Sequence, residues 1–144
     1  EMPSRTRSRG AAAVEVAIVI PMCGLLLTAV LVGWRIGWVR AQVAEAAAAG
    51  ARAATIPNSA TVARRQAAEA IERDLATVDV HCAGLQTDVD TAAFALPIGS
   101  AGQVTVRVVC PLDLSDAVIP GLPGQLVVAA TASEPLDRFR ERKP

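Results

Sequence analysis

Aromatic side chains are scarce in this sequence, with no Tyr and only two Trp and two Phe among 144 residues. A base-stacking surface for single-stranded nucleic acid therefore has almost nothing to be built from. Basic residues are not in excess either: 14 Arg and Lys face 14 Asp and Glu, which removes the electrostatic footprint of a nucleic-acid binder. One His, His81, gives little scope for acid–base chemistry. No nucleophile motif, phosphate loop or metal-binding helix occurs. The three cysteines form no CxxC pair and have only His81 nearby, so the sequence predicts no metal site. Asp88 with Asp90, and Asp113 with Asp116, read as turn and cap residues rather than paired catalytic acids. The sequence thus predicts no enzyme, no cofactor, no nucleic-acid partner and no small-molecule substrate.

What the chain does have is one long apolar run. From Val16 to Trp34 no side chain is charged, and this is enough to cross a bilayer as a helix, which takes about 20 residues. Arg5, Arg7 and Arg9 precede the run without an intervening acid, which predicts a cytoplasmic N-terminus and an extracytoplasmic remainder. Arg35 and Arg40 follow it, where long basic side chains reach the headgroups. A cleavable secretory signal would have a shorter apolar core; here two Arg also precede the nearest AxA-like site, Ala44 to Ala46. Trp34 and Trp38, one turn apart at the outer boundary, read as interfacial anchors.

The helical pattern continues through the alanine-rich stretch Ala41 to Ala54, predicting one helix from about Ala13 to Ala54. Pro21 should kink it and Pro57 should end it. Gly33 with Gly37, and Ala46 with Gly50, carry the small-xxx-small spacing that lets helices pack closely. Thirteen of the 14 basic residues are Arg, and an Ala- and Arg-rich composition supplies small residues by itself. Glu15 stands inside the start of the apolar slab, where an ionised carboxylate costs a few kcal/mol. The residues alone leave open whether it snorkels, pairs with a leader Arg, or meets a charge on another molecule.

Beyond the Pro57-Asn58-Ser59 break, Thr61 to Ala76 reads as a second, amphipathic helix with an exposed Glu69 to Arg73 pair. Strands are predicted over Val78–Leu85, Gln103–Cys110 and Gln125–Ser133, with a weaker one near Ala93–Pro97. Val104, Val106 and Val108 share one strand face. Leu112, Leu114, Val118, Ile119 and Leu122 form a plug or short helix, and Pro120, Gly121, Pro123 and Gly124 turn the chain. The predicted fold is α+β: a long N-terminal transmembrane helix continuing outside the membrane, then one helix on a three- or four-stranded, mostly antiparallel sheet. The segments are a basic cytoplasmic leader (1–10), a transmembrane and spine helix (11–56) and an extracytoplasmic domain (57–144). Cys82 and Cys110 would meet an oxidising compartment, so a disulfide is predicted between them, leaving Cys23 to pack in the apolar helix.

A basic leader, then Gly10, Ala11, and Glu15 fifth after the glycine, resembles the processing site of type IV pilin-like proteins. Over RGAAAVEVAIVIPMCGLLLTAVLVGWRIGWVRAQVAEAAAAGARAA the sequence resembles the TadE-like proteins, pseudopilins of the tight-adherence (Tad) pilus system. Gly10, Glu15, Pro21, Gly50, Ala51 and Arg52 match that pattern; Val16 departs from it, since many members carry an aromatic there. The Cys-bearing strand, the PGLPG turn and SEPLDRFR resemble the actinobacterial branch. The resemblance implies cleavage between Gly10 and Ala11 by a prepilin peptidase and contact of Glu15 with a neighbouring subunit's new amine. It also implies a membrane location, partnership with other pilus or envelope subunits, and a place in a surface filament. An unprocessed single-pass scaffold that recruits another envelope protein is the alternative.

Overall fold

The computed structural model describes residues 7–117, 123–141 and 143. The chain divides into two compact units, Glu1–Arg35 and Ile36–Pro144. Helix α1 spans Arg7–Ala54 and begins earlier than the sequence predicts; it runs through Pro21 without a break. Within its apolar part, the Thr28 hydroxyl donates to the Gly24 carbonyl at 2.8 Å, which keeps a polar group satisfied without water.

Helix α2, Ala60–Thr77, follows a short corner. Ser59 makes no side-chain cap. Instead the Ala60 N–H donates to the Lys143 carbonyl at 3.0 Å, and the Lys143 N–H donates to the Asn58 carbonyl at 2.7 Å, so a returning segment supplies an acceptor that the helix start lacks. Ala60, Ala63, Ala67, Ile71 and Leu75 are buried at helical spacing, as an amphipathic helix requires.

At the far end of α2 the strand expected over Val78–Leu85 does not form. The Asp79 N–H donates to the Ala76 carbonyl and the Val80 N–H to the Leu75 carbonyl, with Asp79 at φ 56°. This is a Schellman stop, with Val80 tucked beside Leu75 as its apolar contact. A second left-handed residue, Gly84 at φ 102°, turns the chain again, and no extended run fits between the two. Strand β1 is the more polar stretch after it, Gln86–Asp90, so Asp88 and Asp90 lie in a strand rather than around a turn. Asp90 Oδ1 also accepts from the Ala92 N–H at 2.9 Å. That bond starts a 3-10 helix, Ala92–Ala95, where the weak strand was expected, and it buries Phe94.

Strands β2 (Gly102–Asp113) and β3 (Gln125–Leu136) complete a three-stranded antiparallel sheet in the order β1-β2-β3. Both run longer than their sequence signals. In register, Val106 faces Val89 and Ala132, and Cys110 faces Val128. Burial alternates along β2, with Val104, Val106, Val108, Cys110 and Leu112 inward, the period of two that a one-sided sheet needs. Gly102 admits the 3-10 helix: a Cβ there would lie 2.8 Å from the Cβ of Ala93. After β2 comes a one-turn helix, α3 (Leu114–Ala117); Val118, Ile119, Pro120, Gly121 and Leu122 of the expected plug lie outside the described residues.

One apolar cluster unites the inner face of the sheet, Phe94, α2 and the part of α1 from Val39 to Ala54. The sequence places this last stretch in a spine outside the domain. Its small buried residues make it a second helix of the core instead.

Candidate functional site: the N-terminal helix

The residues that the sequence singles out fall on α1 in two environments. Gly10 and Ala11 lie in its first turns. Glu15 is exposed, and no described side chain forms a hydrogen bond or ion pair with it. Around and beyond it the helix presents large aliphatics that no described residue covers, including Ile20 at 65%, Leu25 at 73% and Val30 at 67% exposure. None of the most apolar stretch in the candidate span Ala13–Ala54 is buried. In water this surface would cost about 25 cal/mol per Å2, and its length and composition suit a bilayer.

The two small-residue pairs part company. A Cβ on Gly33 or Gly37 would meet nothing within 4 Å, so that surface is open. Ala46 is fully buried, and a Cβ on Gly50 would lie 2.7 Å from Cδ1 and Cγ1 of Ile71 and 3.3 Å from the Ala67 carbonyl. Ala46 and Gly50 are therefore committed to packing within the domain, where Gly50 admits α2. Trp34 is exposed at 67%, whereas Trp38 is half-buried against the core. Arg52 pairs with Glu45 at 3.1 Å on the exposed face.

Cys82 and Cys110 are joined by a disulfide, with Cα atoms 5.1 Å apart. Cys82 sits in the loop after α2 rather than in a strand, and it is held there by the Ala83 N–H donating to the Pro111 carbonyl at 2.7 Å. Cys23 is exposed on the apolar helix. Among the described residues no cluster of His, Cys, Asp or Glu could hold a metal ion. Sequence reasoning missed two contacts: Ile71 as the reason for Gly50, and Arg64, whose Nη2 donates to the nearly buried Thr91 hydroxyl at 2.6 Å. Neither has a local signal, because each partner is remote in sequence.

One apolar helix near the N-terminus, uncovered among the described residues and long enough to cross a bilayer, precedes a disulfide-linked α+β unit, the arrangement of a single-span membrane protein. Residues 10–52 match the family model of the TadE-like proteins, the family that the sequence resembles. No curated protein and no solved structure matches the chain. The family match ends at Arg52, within the stretch of α1 that the domain buries.

Proposed function

We propose that this chain is a membrane-inserted structural subunit of a Tad pilus or a related envelope assembly, cleaved after Gly10 by a prepilin peptidase. The observation that carries the reading is the coincidence of the TadE-like match with a helix whose apolar surface is uncovered among the described residues. The leader is cytoplasmic and the domain extracytoplasmic. Cleavage leaves a cationic amine on Ala11 at the membrane edge. The Glu15 carboxylate of an adjacent subunit neutralises that amine, an attraction that low dielectric strengthens while the pairing offsets the desolvation of both groups. The helix is then drawn from lipid into a bundle, with Gly33 and Gly37 offering the surface for close approach. The role is structural, with no cofactor.

Intact-mass measurement of the full chain, co-expressed with and without a prepilin peptidase, tests the processing. The expected product begins at Ala11 and disappears in Gly10→Leu. A chain that keeps its leader with active peptidase present returns the protein to the anchored-scaffold class. Glu15→Ala is expected to insert in the membrane normally while losing incorporation into the assembly. Normal incorporation would remove the charge-pairing step.

A further inference from the structure

The sheet has two edges, and they are guarded differently. β1 is only 5 residues long and carries the exposed carboxylates Asp88 and Asp90, two of the devices by which natural sheets discourage edge pairing. β3 is 12 residues long, and from Gln125 to Ser133 it has no ionisable side chain.

The direction of its free backbone groups follows from two hydrogen bonds. The Leu114 N–H donates to the Gly124 carbonyl, so residues of even number on the β2 side face β3; the Pro111 carbonyl accepts from Ala83, so those of odd number face away. With Pro111 opposite Val127 in an unbroken register, the N–H and C=O groups of Gln125, Val127, Ala129, Thr131 and Ser133 point out of the sheet. No backbone bond among the described residues reaches them. Their side chains are exposed, with Val127 at 61%. On the inner face Leu126, Ala130 and Ala132 are only half-covered, whereas the facing Val106 and Val108 of β2 are fully buried. Pro135, next in the outward series, has no N–H to offer.

We infer that this edge is an interaction surface for a second copy of the same chain, pairing β3 with β3 antiparallel about a two-fold axis at Ala129. In that register Gln125 faces Ser133 and Val127 faces Thr131 of the other copy, so each outward donor over this stretch finds an acceptor and Pro135 ends the ladder. Leu126 meets Ala132 and Val128 meets Ala130, extending the inner apolar face across the junction. The smallest side chain in the outward series, Ala129, sits on the axis. No like charges oppose one another, and the half-buried Glu134 lies beyond the paired stretch. A second copy fits better than a generic extended segment because the same nine positions complement themselves without a gap or a charge clash. The inference rests on the domain alone and is independent of the pilin reading.

Cysteine cross-linking of the full chain in detergent micelles tests it, on a Cys23→Ser background so that the apolar helix contributes no thiol. In a hydrogen-bonded antiparallel pair the Cα atoms lie about 5.5 Å apart, within disulfide reach, so Ala129→Cys is expected to oxidise to a covalent dimer as the main product. Ser133→Cys is the control: its two copies would be separated by roughly 27 Å along the strands and should stay monomeric. Ala129→Lys, which sets two ammonium groups against each other, should abolish the dimer in sedimentation of the unlinked protein while its circular dichroism stays unchanged. Equal cross-linking at residues 129 and 133 would reveal chance collision and overturn the inference. A chain that remains monomeric at all concentrations, or an Ala129→Cys that links to a different envelope protein and not to itself, would do the same.

Discussion

Helix α1 is one element in two environments, exposed toward its start and buried toward its end. Toward its start the side chains are Val, Ile and Leu, and Val14, Ile20, Leu25 and Val30 are each more than 60% exposed. Toward its end they are chiefly Ala and Gly, and Ala46, Ala47, Ala51 and Ala54 are fully buried. Size runs opposite to burial. No described residue covers the large side chains, and their length and composition suit a bilayer. The small ones are covered because their size allows α2 to come close, with Ile71 standing where a Gly50 side chain would be. The uncharged run ends at Trp34, and the change from branched aliphatics to Ala and Gly beyond it marks the half that the domain buries.

The largest effect expected from this comparison concerns the domain's disulfide. Replacing Cys82 and Cys110 together by Ala should lower the stability of the unit beginning at Ile36 by roughly 3 to 4 kcal/mol, from the entropy of a loop of this length. Thermal unfolding should register that loss, while Cys23→Ala leaves the midpoint where it was. Next comes Gly50→Leu, whose side chain would collide with Ile71 and the Ala67 carbonyl, at a cost of about 1 to 3 kcal/mol or more for overpacking. If it proved neutral in a denaturant titration, the assignment of Gly50 to the α1–α2 contact would fail. Gly37→Ala should move domain stability in the other direction and by less, a gain of about 1 kcal/mol at most from helix propensity, since nothing lies within 4 Å. Leu25→Ala should leave the domain's unfolding midpoint unchanged and weaken only insertion, read as a larger share of protein extracted from membranes by carbonate. A shift of the midpoint by Leu25→Ala would mean that this side chain has a partner within the chain.

Much of this architecture is legible in the sequence, and the failures have physical causes. The apolar run, the α2 periodicity and the alternation of Val104, Val106 and Val108 are strong because one face of each element meets one environment over many residues. The stretch Val78 to Leu85 misleads because its alternating apolar residues do pack, yet Asp79 and Gly84 hold left-handed backbone that cannot extend. β1 is hard to read because a short edge strand covered on one side needs only Thr87 and Val89 inward. The 3-10 turn depends on the Asp90 side chain capturing the Ala92 N–H, a bond that competes with strand formation. At the candidate site, Gly10, Glu15, Gly33 and Gly37 are visible as motif residues, whereas the commitment of Ala46 and Gly50 to α2 is not. Spacing reports that a helix can be approached closely, and only the fold reports by what.

The parallel bridge between Ser59 and Lys143 gives the unit beginning at Ile36 a mechanical property. A tug applied beyond Lys143 meets its two hydrogen bonds to Asn58 and Ala60 before any tension travels back to Leu136 and the β3 ladder. The bridge thus acts as a strain relief at the mouth of α2, yielding first and sparing the sheet. A bulky fusion placed after Lys143 would load that fastening rather than the core.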